Sequence, residues 1–421
     1  MEKQTRLITA LAVLLLVLVL IVLFGKDPDD KADADPHEPP AHKVFEGEKD
    51  SVQKLTLRGP DGEIAFEKDD AGWKMTAPRT VPIEQRKVTE IVDRMATLEV
   101  QERAFEGALK DYGLDDASRV EIVLGKADGT SLSLFVGRDS PVGYRSYVAQ
   151  KAEGPATLAT SKIGDLAHRT VNDFRSPEVW TISSGTATRV RIEDAGNVTV
   201  LRKDDHGWWI GDDGPRASED AIQDWLSRAD TLRADTFLDD ADPVALGLGT
   251  PSATITVEDA DGTHTLRFGS REDGAVVQGE GVPVRLGNEA LELLGSGAWT
   301  ATKLLPVRRA QIDTVEVQLG EKSGRWTRAE GKWTDAAGKE ATGVDELLDA
   351  IGDAASDRTA PLAMAGSWGR VVLAEGTTRR EEVLFGDPIG DGARLAKETV
   401  GGPGFAIPQA SIDAITAAWP R

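Results

Sequence analysis

GWKMTAPRTVPIEQRKVTEIVDRMATL, residues 72–98, decides the fold of this chain. It opens with a Trp just after a Gly turn and ends in an apolar stripe at Val88, Ile91, Val92, Met95 and Leu98. That spacing puts five side chains on one face of a helix covering residues 84–98. The same text recurs twice. Gly207-Trp208 precedes Ile222, Trp225, Leu226, Ala229 and Leu232, and Gly331-Lys332-Trp333 precedes Val344, Leu347, Leu348, Ile351 and Ala354. The offsets within the stripe are the same in all three copies, so the chain is an internal triplication.

Strand patterns surround each stripe. In the first copy, residues 52–58 and 63–68 flank the turn Pro60-Asp61-Gly62, and Asp70-Ala71-Gly72 turns the chain into Trp73-Lys74-Met75. Alternation in 52–58 is imperfect, because Val52 is out of phase with Leu55 and Leu57. After the helix a second set of strands is expected. Val120, Ile122 and Leu124 lead through Asp128-Gly129-Thr130 to Leu132, Leu134 and Val136. Asp-Gly between alternating runs is a strong hairpin signal. The second copy has Ala253, Ile255 and Val257 with the turn Asp261-Gly262-Thr263, and the third has Val371, Val372 and Leu373 with Glu375-Gly376-Thr377. Short strands near 147–148 and 156–160 and a short helix over 161–168 complete the first copy. Pro82 suits the approach to the first helix, and Ser218 is an N-cap candidate for the second.

The expected fold class is therefore α+β: three repeated modules of mainly antiparallel sheet, each with one main amphipathic helix. The expected boundaries are 51–175, 176–300 and 301–421, the last module being the most divergent. Each is large enough to fold alone, so three domains are expected.

Leu7–Phe24 is an 18-residue run in which only Thr9 is polar. As a helix it would span ~27 Å, close to a bilayer core. No Ala-x-Ala cleavage pattern follows, so residues 1–25 are expected to be a cytoplasmic tip and an uncleaved transmembrane anchor. Lys3 and Arg6 precede the run, and Asp27, Asp29, Asp30, Asp33 and Asp35 follow it. Positive charge stays inside. The expected location is a bacterial inner membrane, crossed once, with the bulk of the chain extracytoplasmic. Residues 26–50, rich in Asp and Pro, are expected to form a disordered linker.

The 421 residues carry a formal charge of −22, which opposes a nucleic-acid role and charge-driven docking on anionic lipid. The absence of cysteine removes disulfides, thiolate nucleophiles and Cys-bound metals. His37, His42, His168, His206 and His264 show no metal-ligand spacing. Gly247-Leu248-Gly249-Thr250 precedes a strand and is expected to be a turn rather than a phosphate loop. Asp239, Asp240 and Asp242 are carboxylates without a geometry. No catalytic, cofactor-binding or metal-binding residue is assigned, and no cofactor is expected. Trp73, Trp208 and Trp333 have two possible roles, core packing or exposed platforms for sugar stacking; their fixed distance from the stripe favours packing.

"GWKMTAP" at 72–78, "YGLDD" at 112–116 and the hairpin "DGTSLSLFVG" at 128–137 together resemble the bacterial domain-of-unknown-function family 4340. A version of the second motif stands as "LGLGT" at 246–250. The similarity covers residues 50–300 and, less closely, the C-terminal third. Members are often encoded beside ABC transporter parts similar to gliding-motility auxiliary components. The resemblance thus implies an accessory role with an ABC-type permease or auxiliary subunit as partner, and supplies no catalytic residues. Expected function is that of a membrane-anchored extracytoplasmic interaction protein. A module binding envelope glycans or another ligand is the alternative, and a hydrolase with an unrecognised carboxylate site the last.

Overall fold

The structure, a computed structural model, describes residues 39–421 except 273, 296, 357–363, 365, 378, 390 and 391. The apolar run Leu7–Phe24 and most of the linker lie outside the described residues. Among the described residues, no helix is long and apolar enough to cross a membrane. The fold is mostly antiparallel sheet with few helices.

Contacts divide the chain into two compact units, with the boundary after Ser176. The first unit holds a seven-stranded sheet, which runs in space Gly72–Ala77, Gly62–Asp69, Val52–Gly59, Val120–Lys126, Ser131–Asp139, Ser146–Ala149, Thr157–Leu158. The strands before and after the helix are thus one sheet, joined by Val52–Gly59 against Val120–Lys126. The register of that pair shifts between Val52 and Lys54. One extra residue there lets Val52, Leu55 and Leu57 share the buried face, which accounts for the broken alternation in the sequence.

The second unit holds an eight-stranded and a seven-stranded sheet with the same plan. In the eight-stranded sheet, Arg189–Asp194 joins Ala253–Asp259; in the other, Thr314–Leu319 joins Gly369–Glu375. The principal helices Gln85–Thr97, Glu219–Asp230 and Val344–Asp353 fall where the stripes predict them. Every stripe position is buried, from Val88 to Leu98, Ile222 to Leu232 and Val344 to Ala354. Ser218 caps its helix, its hydroxyl accepting from the Ala221 N–H at 3.3 Å. Each helix lies over one sheet face in its own apolar core.

The segment that leads into each sheet pairs with the chain just after the helix. Ala41–Lys43 pairs with Glu99–Gln101, and the Val44 N–H donates to the Leu98 carbonyl at 3.0 Å. Glu178 bridges Arg233, and Lys303 bridges Ala355. The linker expected over 26–50 therefore ends earlier: residues 41–43 are a strand, and Val44 and Phe45 are buried. Two apolar side chains that can reach the core are enough to end it.

Trp73, Trp208 and Trp333 are 4–6% exposed and belong to the three cores. Their backbones hold the approach to the helix. Gln85 bridges both the N–H and the carbonyl of Trp73 at 2.7 Å, and the N–H groups of Ala217 and Ala341 donate to the carbonyls of Trp208 and Trp333. Replacing Trp73 with Ala is expected to cost about 3–5 kcal/mol. Hydrogen exchange of the Gln85–Thr97 amides would read that loss locally, and a loss under ~1 kcal/mol would contradict the packing role.

Candidate functional site

The repeated tryptophans share a partner that the stripe pattern does not reveal. Lys68, Lys203 and Arg328 stand directly across the hairpin from Trp73, Trp208 and Trp333. Their cationic groups lie 5.9, 5.7 and 5.1 Å from the ring centroids. A basic residue five places before each Trp was the available signal, in KDDAGW, KDDHGW and RAEGKW. With one face on the core and the other under a cation, these rings are not stacking platforms for a sugar.

The glycine-leucine boxes are also built into the fold. Gly113 and Gly247 have φ of +68° and +78°, and Leu114 and Leu248 beside them are buried. A Cβ on Gly137 would stand 2.3 Å from the Tyr112 carbonyl oxygen, and one on Gly269 would stand 2.1 Å from that of Leu246. Both boxes thus need glycine on the returning strand, because backbone lies where a side chain would be. This settles Gly247–Thr250 as a turn. At the third copy, the Met364 side chain takes the corresponding place over Gly386.

A polar constellation lies within the second unit, beside a cleft of about 330 Å³ lined by His206, Trp208, Arg216, Ser218, Lys303 and Arg308 among others. Arg216 follows the edge strand Gly207–Ile210 of the eight-stranded sheet, and its side chain is 5% exposed. Its guanidinium reaches Glu381 at 2.8 Å and Glu398 at 2.8 Å, both on the other sheet and both buried. It also donates to the His206 carbonyl and stacks 4.7 Å from the Trp209 ring. His206 Nδ1 stands 3.5 Å from Glu381. Arg308 bonds both carboxylate oxygens of Glu219 at 2.9 Å. The cleft's arginines therefore face carboxylates already, and the arrangement acts as a joint between two sheets of one unit.

Truncating Arg216 to Ala would leave Glu381 and Glu398 without their guanidinium. The expected cost is about 3–5 kcal/mol, while the neutral triple replacement Arg216→Met, Glu381→Gln, Glu398→Leu should cost much less. Thermal unfolding of the two variants checks the order; equal losses would mean that shape, not charge, holds the joint.

Of the other histidines, His42 lies on the lead-in strand with Nε2 2.7 Å from Gln150, and His168 is exposed after the short helix Gly164–Ala167. His37 lies outside the described residues. His264 is bracketed by Glu280 at 2.9 Å and Asp259 at 3.2 Å. Asp259 in turn accepts from the Ser183 N–H at 2.6 Å. The Glu280 hydrogen bond raises the imidazole pKa above its ordinary value; burial opposes it, and Asp259 adds to the rise. A raised folded-state pKa contributes stability that is complete below the unfolded value of about 6.5 and lost as pH climbs through the folded one. His264→Gln should therefore lower the Tm more at about pH 5.5 than at about pH 9. An unchanged difference across that range would contradict the ion pair.

Asp239, Asp240 and Asp242 lie in the loop before the second box, where Asp242 caps the Val244 N–H at 3.0 Å. Among the described residues, no group of three or more His, Cys, Asp or Glu could hold a metal ion.

Residues 73–251 match a family described as a domain of unknown function, DUF4340. That stretch belongs to this family. The match begins at the first repeated Trp and ends just after the second glycine-leucine box, so it starts and stops inside sheets. The matched stretch therefore spans the first and second Trp, their two stripes and both glycine-leucine boxes. No curated protein matches the chain, and no solved structure matches it.

Proposed function

We propose that this chain is a membrane-anchored extracytoplasmic interaction protein, an accessory component of an ABC-type transporter or another envelope complex. In this reading it is three copies of one sheet-and-helix module behind an N-terminal transmembrane helix. The observation that carries it is the repeated scaffold itself. Three sheets each spend one face on a helix, and the other face carries exposed and half-buried positions beside the Leu114 cluster of the first sheet and the buried Trp209 of the second, as an antiparallel sheet can. Leu7–Phe24 and the acidic stretch after it support the anchor and its orientation. The glycan alternative loses its main support, because Trp73, Trp208 and Trp333 are buried.

Alkaline phosphatase fused after residue 50 should be active on cells, and an inactive fusion would overturn the topology. Mild crosslinking of the full-length protein in membranes, followed by affinity purification and mass spectrometry, should recover a multispanning permease or its auxiliary subunit. A solitary protein in mild detergent would overturn the accessory role.

A further inference from the structure

The open face of the eight-stranded sheet differs from what the charge of the chain leads one to expect. Strand register places Trp209, Arg202, Arg189, Glu258 and Thr263 in one row across it. The next row is Val200, Arg191, Thr256 and Thr265, and the third is Val198, Glu193, Thr254 and Arg267. Four arginines thus share a face with Glu193, Glu258 and, at the edge, Asp204, in a chain whose net charge is −22. Arg189 and Arg202 are directly opposed, an arrangement that destabilises a strand pair.

The neighbouring carboxylates neutralise this face only in part. Arg191 is held by Glu193 at 2.5 Å, while Arg189 comes no nearer than 4.0 Å to Glu258. Arg202 is turned toward the hairpin, bonded to Asp204 and to the carbonyls of Gly211 and Asp212. Arg267 is exposed and makes no ion pair among the described residues. Side chains of Arg189 and Arg191 are 38% and 42% exposed, and Val198 is 52% exposed. The first sheet answers its cations on the same kind of face with carboxylates: Lys54 with Glu67, and Arg58 with both Glu63 and Glu121.

We propose that the open face of the eight-stranded sheet, centred on Arg191, Thr256 and Arg267, docks an acidic surface of a partner protein. Charge complementarity selects that occupant. A cationic island on an acidic molecule attracts carboxylates locally while the rest of the surface repels them, which fixes orientation as well as affinity. Short threonines keep the face flat, Val198 and Val200 supply apolar area, and arginine is the charged residue best suited to interfaces. This inference rests on the interaction-protein reading, but not on the partner being a transporter.

The test is a photo-crosslinking amino acid placed at Thr256 in the full-length protein in its own membranes, with Thr56 on the open face of the first sheet as comparison. The expected result is a discrete adduct from position 256, mapped to a carboxylate-rich peptide of another protein. It should fall about tenfold in R191E/R267E and partway in R191Q/R267Q, and weaken with added salt. Circular dichroism and Tm establish that the glutamine variant folds. No adduct at 256, an adduct indifferent to charge reversal, or an adduct to a second copy of this chain would overturn the proposal. An acidic partner unrelated to any transporter would keep the face and remove the transporter reading; a permease recovered without the adduct would do the reverse.

Discussion

One amphipathic helix on one face of an antiparallel sheet is the constraint from which the rest of the structure follows. A sheet of seven or eight strands has two faces, and a helix of 10 to 13 residues covers only part of one. The Trp of the third strand extends that cover. It fills the margin that the helix leaves open, and its backbone holds the start of the helix through Gln85, Ala217 or Ala341. The Trp and the stripe are therefore parts of one core, which is why their spacing repeats. The glycine-leucine box does the corresponding work on the opposite face, where Leu114 packs with Tyr147 and Leu158 in a small separate cluster.

Much of this was legible because helices and hairpins leave periodic traces in a sequence. The stripe, the Asp-Gly turns, the Ser218 cap and the buried Trp are all local signals. Three features were not legible, each for a physical reason. The sheet is completed by pairing residues 52–59 with 120–126, and no local signal says that two hairpins separated by a helix are neighbours. The bulge at Val52–Lys54 looks like faulty alternation until its partner strand is known. The joint depends on Arg216 meeting Glu381 and Glu398, residues more than 160 positions away. An arginine in an acidic chain is read as surface, and only tertiary structure shows that it is buried.

That joint bears on how a repeated chain holds its copies. Burying one guanidinium with two carboxylates adds little net stability, because the desolvation of three charges offsets their attraction. What it does add is a penalty for any other alignment, since each misplaced sheet would strand a buried charge. The second and third sheets share a compact unit, and the joint links them within it. Beside it the Gly401–Gly402 turn passes so near Trp209 that a Cβ on Gly402 would stand 3.5 Å from the ring, and the arginine supplies register.

A scaffold that fixes its buried face by packing leaves its open face unconstrained by stability. The first sheet fills that face with matched ion pairs, which are worth little individually but avoid repulsion. The eight-stranded sheet accepts an Arg189–Arg202 opposition, relieved by turning Arg202 toward the hairpin. Within the unit Arg202 is drawn aside to Asp204 and to the carbonyls of Gly211 and Asp212, and Arg189 stands 4.0 Å from Glu258, which leaves Arg267 as the exposed cation of this face that makes no ion pair among the described residues. With the Trp and the stripe holding the helix side of each of the three sheets, the open faces are free to differ in charge, as those of the first sheet and the eight-stranded sheet do.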